Sequence, residues 1–275
     1  MGHGFSALIL TNIRLLISGA VLILFAYLSD KEKFFAFLKD KSSYISLILF
    51  AFLGLLLTQL TYLIAIAETN AGTATVLQYV CPVGVLAYTC IKDRVGPTVS
   101  EIASMLLAIG GTFLIATHGQ LNQLAITPKG LGWGLFSAFA YALYIILPLN
   151  LIKKWGSMPV IGVGMLLPGI LMVPFSGLVS FQGHYSSDNL LALFGLIVLG
   201  TIFAYTVFLK GTSMVGAVKG SLLASIEPIS AVFFAYIIMN DQFYAIDFIG
   251  MGMILLAVLL ISLKDLIIQK EKGIL

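Results

Sequence analysis

The sequence predicts an all-α integral membrane protein with nine transmembrane helices, and three observations carry that prediction. Apolar residues make up 60% of the 275-residue chain and charged residues 10%, a balance that lies far from that of soluble domains. The apolar residues gather into runs near the roughly 20 that take a helix across the hydrocarbon layer, where every amide must bond internally because lipid offers no water. The lysines and arginines then fall almost wholly into alternate connections between those runs.

The runs are Phe5–Tyr27, Tyr44–Ala67, Ala71–Ile91, Thr98–Thr117, Gly130–Leu151, Met158–Ser180, Asn189–Leu209, Thr212–Met239 and Phe243–Leu263. The first is not a signal peptide: no basic residue precedes it, and Asn12 and Arg14 interrupt its apolar centre. The longest connections, Leu28–Ser43 and His118–Lys129, leave no room for a soluble domain.

One set of connections holds Lys31, Lys33, Lys39 and Lys41, then Lys92 and Arg94, Lys153 and Lys154, Lys210, and finally Lys264, Lys270 and Lys272. The other set holds only Lys129. That asymmetry predicts a cytoplasmic-membrane protein with its C-terminus in the cytoplasm and Met1 outside. Trp133 and Trp155 fall near opposite ends of the fifth run, as interfacial anchors do. The net charge of +3 is the same bias and does not point to nucleic acid. Cys81 and Cys90 lie roughly 13 Å apart along one helix, too far to bridge each other.

An internal repeat sharpens the topology. A shift of 146 positions, the interval from Ala71 to Ala217, also lays Pro82 on Pro228, Glu101 on Asp247, Met105 on Met251 and Ile115 on Ile261 without a gap. It lays the second, third and fourth runs on the seventh, eighth and ninth. Five runs separate equivalents, an odd number, so the two copies must cross the membrane in opposite senses. Such inverted repeats recur in secondary transporters, where solute binds near the midplane and is exposed to each side in turn.

Three stretches make the resemblance specific. They are Leu223-Ala-Ser-Ile-Glu227-Pro228-Ile-Ser-Ala-Val, Gly130-Leu-Gly-Trp133-Gly134, and Ser6 to Arg14. The chain resembles the EamA-type family of the drug/metabolite transporter superfamily: the first stretch is similar to its penultimate-helix Glu-Pro signature, the second to the Trp-Gly opening of its second half, and the third to its arginine-bearing second helix. The resemblance implies a ten-helix, five-plus-five fold, of which the first helix has no counterpart here. Residues 1–117 then form a first repeat of four helices, 130–265 a second of five, and 266–275 a cytoplasmic tail. The acid that the family places near the end of each half's fourth helix is replaced here by Lys92, Asp93 and Arg94, and by Asn240 and Asp241.

Candidate solute-handling residues follow from cost. An ionisable side chain in the bilayer core is expensive, at least ~2.5 kcal/mol on insertion scales, so it tends to face protein or water and to be functional. Glu227, just before Pro228, is the candidate for proton coupling or for meeting a substrate amino group; its structural alternative is to stabilise the kink. Arg14 lies too deep to snorkel and either meets an anionic group or pairs with Glu227. Thr75, Gln78 and Tyr79 before Pro82, and Ser221 and Ser225 before Pro228, form matching polar stretches, with Trp133, Tyr141 and Tyr144 as an aromatic wall. Pro82 and Pro228 are expected helix kinks. Lys219 reads as snorkelling, and Glu101 and Asp247 as helix-start caps.

No HExxH, Ser-His-Asp, paired-carboxylate or Walker pattern occurs, and His3, His118 and His184 sit apart in connections or at an end. The expectation is therefore no enzyme, no cofactor and no metal. What the sequence supports is a secondary transporter that moves small organic solutes such as amino acids, related metabolites or drugs by alternating access, expected to work as an exporter. The alternative is a non-transporting membrane sensor or assembly protein on a degenerate transporter scaffold.

Overall fold

The computed structural model describes residues 7–69, 71–120, 127–178, 187–227, 229–230 and 244–271. In chain order the helices are α1 (Ala7–Ser29), α2 (Lys31–Lys39), α3 (Tyr44–Leu49), α4 (Leu57–Glu68), α5 (Ala71–Gln78), α6 (Cys81–Asp93), α7 (Val99–Thr117) and α8 (Pro128–Ile146). They continue with α9 (Leu149–Trp155), α10 (Ser157–Ser176), α11 (Ser187–Ile197), α12 (Ala204–Val215), α13 (Ala217–Ala224) and α14 (Ala245–Glu271). Two π-helical stretches, Phe50–Leu56 and Val198–Phe203, join α3 to α4 and α11 to α12. No strand occurs among the described residues.

Several neighbouring helices run together into longer apolar segments. Six are long and apolar enough to cross a bilayer: Leu8–Ser29, Lys41–Glu68, Thr73–Asp93, Pro128–Trp155, Ser157–Ser176 and Leu193–Val215; Val99–Ile115 and Ala245–Leu260 are shorter apolar helices. The protein is thus an all-helical, multi-pass membrane protein.

Several boundaries differ from the sequence reading: the fifth run extends over Pro128–Trp155, and the last helix continues to Glu271, into the expected tail. The connection Leu28–Ser43 contains α2, whose N-terminus is capped by Asp30 accepting from the Lys33 amide at 2.9 Å and which buries Phe34 and Phe37 while exposing its lysines. The break expected around Lys210 and Gly211 lies instead at Gly216, where φ is +94°. A glycine inside a helix costs about 1 kcal/mol but does not end it, whereas that backbone conformation is open essentially to glycine alone. The sixth run ends at Ser176 rather than Ser180, because Gly177 takes a left-handed φ of +73°.

The chain divides into two compact units, residues 1–63 with 143–216 and residues 64–142 with 217–275. Unit 1 centres on the pair α1 and α10. A Cβ on Gly19 would lie 2.7 Å from the backbone nitrogen of Leu166, and Cβ atoms on Gly162 and Gly169 would lie 3.0 and 3.1 Å from the chain at residues 15–23. The glycines therefore set the approach of these two backbones, as small residues do between membrane helices. At one end of unit 1, Asp40 gathers the Ser42 and Ser43 hydroxyls at 2.5 and 2.7 Å and the Lys154 ammonium at 2.6 Å. The Lys154 hydrogen bond holds the Asp40 carboxyl well below the usual carboxylate range. Beside it a cavity of about 500 Å³ opens among the ends of α1, α2, α9, α10 and α12.

Unit 2 centres on α7 and α14, which meet at Gly111 and Gly250: a Cβ on Gly111 would stand 2.5 Å from the Gly250 carbonyl oxygen. Ala108, Leu222 and Ala257 form a small buried cluster behind them. Glu101 reaches back from the first turn of α7 to the Thr98 amide at 2.8 Å, and Asp247 does the same for the Tyr244 amide at 2.9 Å before α14. Both acids serve as the expected caps.

Candidate functional site

The side chains singled out by the sequence divide between the units, Arg14 and Tyr144 in unit 1 and the others in unit 2. In unit 2 the decisive feature is that α5 stops at Gln78 and α6 begins at Cys81. At the kink expected at Pro82 the segment Thr73–Asp93 passes through a turn at Tyr79 and Val80, with the proline in the first turn of α6, where its missing N–H costs nothing. The turn at Tyr79 and Val80 between them is held by the Tyr79 amide on Thr75 O at 2.9 Å.

A second interruption follows α13, which ends at Ala224 in a turn where the Ser225 amide donates to Leu222 O at 3.1 Å. The buried Tyr79 hydroxyl reaches this turn, with Ala224 O at 3.0 Å and Glu227 Oε2 at 2.8 Å as its acceptors. One phenol thus ties the turn before α6, the end of α13 and the Glu227 carboxylate together. Glu227 itself is exposed. An ionised carboxylate accepts about four hydrogen bonds, so the group keeps capacity for a proton or an ammonium beyond what Tyr79 supplies.

Gln78 turns toward α8, donating to Ser137 Oγ at 2.7 Å. Ser137, fully buried, was invisible to the sequence reading because a lone serine in an apolar run carries no pattern. Trp133 lies on the same helix, half-buried and 6.1 Å from the Phe136 ring. Thr75 and Tyr141 are half-buried in unit 2. Ser221 bonds locally to Val218 O at 2.8 Å, while Ser225 is buried with no partner for its hydroxyl among the described residues. Pro228 lies outside the described residues. Lys219 is half-buried on α13.

In unit 1, Arg14 donates through Nε to Thr201 Oγ1 at 3.1 Å, inside the second π-helical stretch. Two positions before it, the Asn12 amide lies 2.7 Å from Ser176 Oγ and is oriented to donate to Gly169 O at 2.8 Å and accept from Val173 N at 3.2 Å. It thereby inserts into the backbone ladder of α10, a helix that also contains Pro168 and Pro174. Tyr144 is buried in unit 1, stacked on Phe50 and Phe208 at 6.2 Å each.

His118 is the other residue the sequence left idle. It sits past the end of α7 at a left-handed φ of +48°, its Nδ1 2.8 Å from Oδ1 of the fully buried Asp247 and its ring 4.8 Å from that of Tyr244. Its distance in sequence from Asp247, 129 residues, is why spacing gave no sign of it. Among the described residues no group of three or more His, Cys, Asp or Glu side chains is placed to hold a metal.

Comparison with known proteins places these features in a family. The model of the EamA-like transporter family matches residues 1–117 and 128–263. The chain is 36% identical over 260 residues to the uncharacterized inner membrane transporter YicL of Salmonella typhimurium, covering 94% of this chain and 86% of the relative. It is 23% identical over 202 residues to the uncharacterized transporter YcbK of Bacillus subtilis, covering 71% and 65%. A solved crystal structure superposes with a TM-score of 0.79 at 14% identity, over 93% of this chain and 87% of the other, and so shares the fold. The chain belongs to the EamA-like transporter family.

Proposed function

We propose that this protein is a secondary transporter that moves small organic solutes, amino acids or related metabolites, out of the cytoplasm by alternating access, with Glu227 as the coupling residue. The observation that carries the reading is the Tyr79 hydroxyl bridging Glu227 and Ala224 O at two helix interruptions. Interrupted spanning helices are where transporters of inverted-repeat design hold solute and ions. A proton or a substrate ammonium arriving on the exposed carboxylate competes with the charge-assisted bond from Tyr79. Binding at Glu227 is thereby linked to the geometry of both breaks.

The inverted repeat, with nine spanning helices and a cytoplasmic C-terminus, is part of the same proposal. A shift of 146 lays α5 (Ala71–Gln78) on α13 (Ala217–Ala224) end to end, and the start of α7 at Val99 on that of α14 at Ala245. The same shift lays the Thr98 and Glu101 cap on the Tyr244 and Asp247 cap, and Gly54 of one π-helical stretch on Gly200 of the other. The orientation is supported by Lys33, Lys153 and Lys210, which belong to three connections of the basic set and line one cavity.

Solute flux into proteoliposomes containing the full chain, with an imposed proton gradient, tests the proposal. Amino-acid flux that rises with the gradient is expected, and a Glu227→Gln variant should retain folding but lose the pH dependence. Unchanged pH dependence in that variant removes Glu227 from coupling, and gradient-independent silence toward every solute tested removes the transporter reading.

A further inference from the structure

Unit 1 ends in a cavity that transport through Glu227 leaves unused. Lys33 on α2, Lys153 on α9 and Lys210 on α12 line it together, from three connections far apart in sequence. All three are exposed, and none has an acidic partner among the described residues. The acids nearby are committed elsewhere. Asp30, also at the rim, caps α2, and Asp40 is taken by Lys154, Ser42 and Ser43. Lys154, adjacent to Lys153, shows what a paired lysine looks like in the same corner. Three lysines lining one cavity with a single acid at its rim make it a basic recess suited to an anion.

The walls decide which anion. Ala26, Phe34, Ile152, Met158 and Met214 are apolar, so the cavity is a greasy recess with a basic rim. Of the lining, Met214 is 78% exposed, and Leu28 and Phe35, next in sequence to the lining residues Ser29 and Phe34, are 67% and 43% exposed. The short α2 buries Phe34 and Phe37 and exposes Phe35 and Leu38 among its lysines, so its outer side mixes apolar and basic groups as a membrane-interface surface does. A soluble phosphate ester would use the lysines and leave the apolar rim in water. A phospholipid satisfies both, with phosphate on the ammonium groups and acyl chains against Leu28, Phe35 and Met214.

We infer that this cavity binds the headgroup of an anionic phospholipid, with Lys33, Lys153 and Lys210 on its phosphate. Each lysine near an anionic membrane surface contributes on the order of a kilocalorie, so three together give a strong preference over a zwitterionic lipid. The test titrates the full chain in neutral detergent with phosphatidylglycerol, phosphatidylcholine and glycerol phosphate, reading bound lipid by native mass spectrometry. Binding of phosphatidylglycerol at least about tenfold tighter than phosphatidylcholine is expected. The preference should vanish in K33Q/K153Q/K210Q, persist when the same lysines become arginine, and be untouched by K129Q. Equal binding of the two lipids, or an intact preference in the triple glutamine variant, overturns the site. Glycerol phosphate binding as tightly as phosphatidylglycerol overturns the lipid in favour of a soluble ester. Should the glutamine variant not fold, the wild-type preference must still collapse as salt rises from about 0.05 to about 0.5 M; a preference indifferent to salt overturns the inference equally.

Discussion

The two units use the same device at their centres and different chemistry at its ends. In unit 1, α1 and α10 approach through Gly19, Gly162 and Gly169; in unit 2, α7 and α14 approach through Gly111 and Gly250. The first pair is fastened by neutral groups, the Asn12 amide bridging Gly169, Val173 and Ser176. The second is fastened by ionisable ones, Asp247 against His118. The lesson is that close packing of glycines supplies attraction in lipid, where burial of apolar surface supplies none between helices. What varies is whether the fastening is ionisable, and in unit 2, which also holds Glu227, it is.

The sharpest way to break that comparison is to crowd the glycines. Gly111→Val should cost about 3 kcal/mol or more, since its Cβ alone would meet a backbone carbonyl at 2.5 Å and backbone cannot swing aside. Gly19→Val should behave alike in unit 1. Gly132→Ala, with nothing within 4 Å of the added Cβ, should leave the thermal midpoint within a degree or two, and this control separates crowding from helix propensity. Equal tolerance at Gly111 and Gly132 would remove the shared device.

A smaller effect tests the ionisable fastening. Asp247→Ala removes a cap and the partner of His118 together, and about 1 to 2 kcal/mol of stability should go with it. Asp247→Asn, which keeps a capping oxygen, should recover most of the cap. If both variants match wild type in thermal unfolding, the clasp contributes nothing.

Tyr79→Phe should cost less, about 0.6 kcal/mol, the average for interhelical hydrogen bonds in membranes. Its larger consequence lies in flux: with Ala224 O and Glu227 deprived of their shared donor, the pH dependence of transport should shift while the fold persists. Unaltered pH dependence would detach Tyr79 from coupling.

The smallest effect belongs to Asp40. Its carboxyl is held below the ordinary range in the folded state, so its contribution is present above the unfolded aspartate value, near 4, and fades only as pH falls toward the depressed folded value. Between pH 5 and pH 8, Asp40→Asn should therefore lower the thermal midpoint slightly and by a constant amount, with the difference closing in acid. A difference that instead grows on acidification contradicts the Lys154 pairing.

Much of the fold was legible in the residues because lipid imposes a simple rule. Apolar runs such as Leu8–Ser29 and Ser157–Ser176 must be helical, as no other local structure satisfies their amides. Interruptions were harder. Lys210 and Gly211 look like a boundary by composition, yet Gly216 is the one that adopts the forbidden φ, and composition does not distinguish a glycine inside a helix from one that ends it. Likewise Glu227 stood out by charge in an apolar run, whereas Ser137, Asn12 and His118 gained their meaning from partners 59, 164 and 129 residues away.

By itself, then, the sequence determined a multi-pass helical membrane protein of a transporter family, and the acid most worth testing. Hydrophobicity, loop charge and a short signature are local or additive, and they survive being read along a line. The tertiary structure alone decided that Tyr79 joins Glu227 to the end of α13, that Asn12 enters the ladder of α10, and that Lys33, Lys153 and Lys210 share one cavity. Those contacts depend on which helices pack side by side, and in lipid that choice rests on small residues and single hydrogen bonds that leave no periodic trace along the chain.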